Sequence, residues 1–181
     1  MTDALRKTKI PEITLLFWIS KICATTLGET AGDQMSMTMN IGYAQSSLIL
    51  ISGFFVMLGI QLSLKKYFPP VYWLVILATS TAGTTMSDYM DRTLDLGYMA
   101  GSALLVGILL LILFIWYKTE KSLSVTGIRS LRGELFYWAA ILFSNTLGTA
   151  LGDFLADDSG LGFGGGALLI SSVLVVVILA H

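Results

Sequence analysis

Hydrophobic positions run along this chain in long blocks, and charged positions are confined almost entirely to the gaps between them. Charge-free windows fall at residues 34–64, 67–87, 96–117, 135–152 and 159–180, and a further apolar stretch at residues 13–32 carries charges inside it. A hydrocarbon layer of about 30 Å takes roughly 20 residues of helix, so each block can hold one crossing. None has the short alternation of a membrane β-barrel, and amides in hydrocarbon must be bonded within their own segment. The pattern therefore predicts an all-α polytopic membrane bundle, about six transmembrane helices in one domain spanning residues 1–181.

A second pattern is laid over the first. Counted from Trp18, Trp73 and Trp138, a threonine stands eight residues on (Thr26, Thr81, Thr146), a glycine ten on (Gly28, Gly83, Gly148) and an aspartate fifteen on (Asp33, Asp88, Asp153). Another glycine stands twenty-four on, at Gly42, Gly97 and Gly162, each followed by an aromatic residue, and small residues come at twenty-eight (Ser46, Gly101, Gly166). Agreement at fixed offsets in three ungapped copies marks a repeated structural unit. The units span approximately residues 10–66, 67–121 and 132–181, with a loop at 118–133 before the third. Each holds two helices, so all three share one orientation and are parallel rather than inverted repeats.

Charge placement orients the bundle. Arg6, Lys7 and Lys9 precede the first helix, Lys65 and Lys66 follow the second, and Lys118, Lys121, Arg129 and Arg132 follow the fourth. That leaves Lys21 inside a span and Arg92 on the other side, where Asp33, Asp88, Asp91, Asp95, Asp153, Asp157 and Asp158 gather. Basic loops stay cytoplasmic, so the N-terminus and the loop at 118–133 are expected inside, in the cell inner membrane. The basic start resembles a signal peptide, but Lys21, Glu29 and Asp33 interrupt the apolar run, which reads as a retained first helix.

Composition narrows the function classes. The chain is 55% hydrophobic and 13% charged, against about 25% charged in soluble domains, which excludes a water-soluble core. Nothing in it suggests a nucleic-acid partner; the expected surroundings are the lipid bilayer and further copies of the same chain. Cys23 is the single cysteine, so neither an intrachain disulfide nor a cysteine metal cluster is available. The only histidine is His181, and no HExxH, P-loop or serine–histidine pattern is present, so no enzyme activity and no resident cofactor are expected. The glycine-rich residues 160–166 follow a helix rather than a strand and read as a flexible turn, not a nucleotide loop.

The Phe17-Trp18 pair and the stretches at residues 25–33 and 147–153 resemble a group of bacterial membrane-anchored proteins of unknown function, built from two-helix repeats with one tryptophan each. That group commonly has four repeats per chain, and this sequence has three. The resemblance covers nearly the whole chain; it implies the fold and no activity.

The candidate chemistry lies where the repeats carry oxygen and where they disagree. Glu29, eleven residues past Trp18, falls within the hydrocarbon, where an ionised carboxylate is costly unless paired, neutral or wetted; its counterparts are Thr84 and Thr149. Lys21 is the other charge inside a span, with counterparts Ile76 and Ile141. Lys21, Thr25, Glu29 and Asp33 make one polar stripe along the first helix. If the odd-numbered helices meet at the centre, Glu29, Asp33, Asp88 and Asp153 with Thr26, Thr81 and Thr146 form an oxygen-rich site suited to a hard divalent cation as cargo. The sequence thus predicts a small transporter or exchanger of a cation, metal or proton-coupled. The competing expectation is an accessory or structural subunit, in which tryptophans and glycines build the frame, small residues serve helix packing, and aspartates cap the next loop or helix.

Overall fold

The computed structural model describes residues 9–125, 128 and 130–180; the predicted roles of Arg6, Lys7, Arg129 and His181 lie outside the described residues. Six α-helices form, with no strand among the described residues: α1 (Leu15–Asp33), α2 (Tyr43–Ser63), α3 (Pro69–Asp88), α4 (Tyr98–Glu120), α5 (Leu131–Asp153) and α6 (Gly162–Ala180). Local chemistry explains several starts. Thr14 accepts the Phe17 amide at 3.2 Å and Ser130 the Gly133 amide at 2.9 Å, while prolines open α3. The loop before the third unit is shorter than predicted, because α4 runs to Glu120 and α5 begins at Leu131.

Every odd-numbered helix ends in the same device. After Asp33, Asp88 and Asp153 comes a five-residue π-helical turn, Gln34–Thr38, Tyr89–Thr93 and Phe154–Asp158. Each closes with an i to i+5 bond of 2.9 Å, from the Met39, Leu94 and Ser159 amides to Gln34, Tyr89 and Phe154 carbonyls. Asn40, Asp95 and Gly160 then take positive φ, and Gly42, Gly97 and Gly162 do so again before the even helix begins. The aspartates make no side-chain cap, contrary to the capping expectation; the wider turn already bonds the amides beyond them. Gly164–Gly166 are the first turn of α6 rather than a flexible loop.

Packing follows the repeat. α1 lies on α3 and α3 on α5, so the odd helices form the interior row; α2 packs on α3 and α4 on α5 from outside. α3 is consequently covered on three sides, which lets it carry buried Thr79, Ser80, Thr84 and Thr85. Three helices are long and apolar enough to cross a membrane, namely α2, α4 and α5 with its π turn. α1 and α3 are less apolar than α2 and α4: α1 carries Lys21, Glu29 and Asp33, and α3 buries Thr79, Ser80, Thr84, Thr85 and Asp88.

One end of the bundle gathers the tryptophans. Phe17 meets Trp73 at 5.7 Å and Tyr72 meets Trp138 at 5.5 Å, so the residue before each tryptophan touches the tryptophan of the next unit. The Tyr72 and Tyr137 hydroxyls share a buried 2.7 Å hydrogen bond. The other end carries the aspartates.

Candidate functional site

Between α1, α3 and α5 lies a partly open cavity of about 240 Å³, lined by Thr25 and Glu29, Ser80 and Thr84, and Ser144, Asn145, Gly148 and Thr149. The lining follows the repeat in two layers. Seven residues past each tryptophan stand Thr25, Ser80 and Asn145; eleven past stand Glu29, Thr84 and Thr149. At about 1.5 Å of rise per residue, the layers sit roughly 10 and 16 Å along the helices from the tryptophans.

Hydrogen bonds hold the walls in register. Ser80 donates to the Thr25 carbonyl at 2.8 Å, Asn145 donates to the Thr79 hydroxyl at 2.9 Å, and the Thr84 and Thr149 hydroxyls are 3.2 Å apart. The deeper layer therefore holds one carboxylate and two hydroxyls that are bonded to each other. Glu29 itself has an exposed side chain, since α1 and α5 share no packed interface on that side of the cavity.

The predicted hydroxyls are one residue out of register. Thr81 and Thr146 are buried and bond back to Ala78 and Leu142 of their own helices, at 3.1 and 2.9 Å, while Thr26 faces outward on α1. One step along a helix is a rotation of about 100°, enough to move a side chain from the cavity to a flank. The signal was present in the neighbouring Thr25, Ser80 and Asn145. The glycines lie within unbroken helices rather than at breaks: a Cβ at Gly28 would stand 2.5 Å from that of Ser80, and one at Gly83 would stand 2.9 Å from the Thr146 nitrogen. They set the α1–α3 and α3–α5 approach.

Lys21 does not pair with Glu29. Its ammonium is buried without a hydrogen-bond partner, two turns nearer the tryptophan end.

The aspartates meet through a residue that sequence reasoning left aside. Arg92, in the second π turn, lies 3.1 Å from Asp88 of its own unit and 3.2 Å from Asp153 of the next, with its guanidinium 5.7 Å from the Tyr98 ring centre. Asp88 is 2% exposed and Asp153 about a quarter exposed. Asp33 and Glu29 lie close enough to feel the charge of Asp153. The only signal for Arg92 was its being the sole basic residue on the acidic side. Among the described residues, no three acidic, cysteine or histidine side chains form a group placed to hold a metal ion. Asp91, 5% exposed, accepts from Ser87 at 3.3 Å and abuts Gly101, where any Cβ would collide with its carboxylate.

A second buried charge pair ties the tryptophan end. Lys9 bonds Glu134 of α5 at 2.8 Å and donates to the Gln61 and Leu62 carbonyls that end α2, both at 3.1 Å. Its place in the basic tally hid this, because composition cannot tell a loop cation from a buried one.

No curated protein and no solved structure matches the sequence. A repeat family described as a Repeat of Unknown Function, DUF347, matches at residues 16–67, 71–122 and 136–181. The chain belongs to that family, with three copies of its repeat.

Proposed function

We propose that this DUF347 protein is a small membrane transporter or exchanger that moves a cation through the cavity between α1, α3 and α5, with Glu29 as its binding or coupling carboxylate. The observation that carries the reading is the cavity itself, a hydroxyl- and amide-lined space holding one carboxylate, which its distance past Trp18 on α1 would set at hydrocarbon depth. A carboxylate there is costly unless a proton, a cation or water accompanies it, and each of these is something a transporter exchanges. Oxygen donors from Thr25, Thr84 and Thr149 suit a hard cation once its water is shed. A single carboxylate favours a proton or monovalent cargo over a firmly held divalent metal, which wants six or more oxygens.

The aspartate end would serve as a vestibule. Asp33 and Asp153 raise the local cation concentration, and Arg92 keeps the buried Asp88 from becoming a competing trap. By the distribution of lysines and arginines, this end faces away from the cytoplasm and the N-terminus lies inside, in the cell inner membrane.

The test is flux into liposomes containing the purified full chain, measured for protons, sodium, potassium, magnesium and manganese. We expect Glu29→Gln to lower flux at least tenfold while leaving thermal stability in detergent unchanged, because Glu29 makes no ion pair among the described residues. Absence of flux for all five, or undiminished flux in the variant, overturns the reading.

The close approach at Gly28 and Gly83 supports a second reading, that of an accessory subunit whose motif exists for helix packing. Under it, Gly83→Leu damages folding and every cellular phenotype together, and Glu29→Gln has no consequence at all.

A further inference from the structure

The middle unit buries a carboxylate that its neighbours lack. Eighteen residues past each tryptophan stand Ser36, Asp91 and Ala156, and twenty-eight past stand Ser46, Gly101 and Gly166. In the first unit Ser36 returns its hydroxyl to the Gly32 carbonyl of its own helix at 2.9 Å. In the second, Asp91 is pressed onto Gly101 of α4, which has no side chain to displace. The π turn that carries Asp91 packs on α2, α3 and α4, with a complete unit before it and another after it. All three units have such a turn, but only the second buries a carboxylate in it.

Charge at this place is not balanced. Arg92 is divided between Asp88 and Asp153, and Asp91 receives only the Ser87 hydroxyl, at 3.3 Å on Oδ2. Asp91 lies close enough to feel the charges of Asp153 and Arg92, and Asp88 feels that of Asp91. Asp91 Oδ1 is buried with no hydrogen-bond partner among the described residues, and so are Asp88 Oδ2 and the Oγ of Ser102, the residue after Gly101. Asp88, Asp91 and Ser102 are only 2%, 5% and 7% exposed, so solvent does little for these oxygens. An ionised carboxylate in such surroundings is costly unless an opposite charge accompanies it.

We propose that a small monovalent cation of the sodium class binds in the second unit, between the π turn Tyr89–Thr93 and the start of α4, held by Asp91 Oδ1, Asp88 Oδ2 and Ser102 Oγ. A proton on Asp91 cancels its charge but bridges one pair of oxygens at most, whereas a cation is shared by all three. Oxygen donors suit a hard ion. The charge count sets its valence. Arg92 cancels Asp88, Asp153 is partly solvated, and Asp91 is left with one unit of charge, which a monovalent ion matches. Calcium or magnesium wants six or more oxygens. Asp88 alone is no trap for a cation, because Arg92 neutralises it; its second oxygen completes a site whose charge comes from Asp91. The ion ties the π turn to α4, outside the cavity lined by Glu29, so the inference stands apart from the transport reading.

The test uses the purified full-length chain carrying Glu29→Gln, so that the cavity offers no carboxylate. It is melted in detergent in sodium chloride and in choline chloride at equal ionic strength, and bound radioactive sodium is counted by equilibrium dialysis. At about a hundred times its half-saturating concentration, sodium should raise the melting temperature by about 5 °C over choline, with a single ion bound per chain. Asp91→Asn keeps the shape of the side chain and should abolish both effects. Ser102→Ala should raise the half-saturating sodium concentration about fivefold, the worth of one lost polar contact. Ser47→Ala should leave it unchanged, since Ser47 is equally buried and unpartnered but its unit has Ser36 in place of Asp91. If Asp91→Asn does not fold, the contrast between Ser102→Ala and Ser47→Ala decides. No difference between sodium and choline, a difference that survives Asp91→Asn, equal effects of the two serine variants, or stabilisation by acid with none by sodium overturns the proposal. With Glu29 already replaced, each outcome is independent of flux.

Discussion

A methyl group at Gly83 would lie 2.9 Å from a backbone nitrogen of α5, and a backbone cannot rotate aside as a side chain can. Gly83→Ala should therefore cost about 1–3 kcal/mol through overpacking, seen as a lower melting temperature in detergent, while Gly148→Ala, where a Cβ would meet nothing within 4 Å, leaves it unchanged. The buried pair of Lys9 and Glu134 gives a second expectation at this scale. Glu134→Leu should destabilise by about 3–5 kcal/mol because it strands the Lys9 ammonium, and adding Lys9→Met should recover part of that loss. What the sequence revealed of such residues depended on whether the repeat exposed them. Glu29 stood out as a carboxylate where the other units have threonine, and it does line the cavity. Lys9, Arg92 and Asp91 fall where the repeats share no residue, and the partners Glu134 of Lys9 and Asp153 of Arg92 come from other helices. The shift from Thr26, Thr81 and Thr146 to Thr25, Ser80 and Asn145 has the same root. Spacing fixes an offset along a helix but not which flank faces a neighbour.

At the scale of elements, the six helices were legible because bilayer thickness dictates both their length and their composition. The π turns were not: Gln34–Thr38, Tyr89–Thr93 and Phe154–Asp158 share no composition, and only the aspartate before and the glycine after each recur. Those glycines are required by conformation. Gly97 has φ 72° and ψ 154°, a region essentially closed to side chains, and Gly42 is close to it at 85° and 156°. Gly97→Ala should cost about 1–3 kcal/mol in detergent melting, as should Gly42→Ala, although a Cβ at either meets no atom within 4 Å. Equal losses at the two sites would identify backbone conformation as the cause. A loss at only one would point to packing instead.

For the whole molecule, the order of helices in space was foreseen only in outline, as odd-numbered helices meeting at the centre. Which odd helix lies centrally depends on the sense in which successive units turn, and no single residue encodes that. Arg92 is the one charged link between the second and third units at the aspartate end among the described residues. Arg92→Met should cost about 2 kcal/mol, between the worth of an exposed pair and a buried one, and Asp88→Asn in the same chain should restore most of it. Thermal melting of the single and double variants checks this, and failure of the rescue would remove Arg92 from the frame.

The central place of α3 also bears on how the protein is made. Its covering helices α1 and α2 precede it in the chain, but α5 follows by some forty residues, so during synthesis Thr79, Gly83 and Thr84 emerge before the surface they seat against exists. The most hydroxylated helix must then wait at the insertion machinery, or in lipid with its inner face unmatched, until the third hairpin arrives. Biogenesis of this chain is thereby tied to a late step, and a ribosome stalled after α4 leaves an intermediate whose exposed seam is the joint that the finished molecule uses to hold itself together.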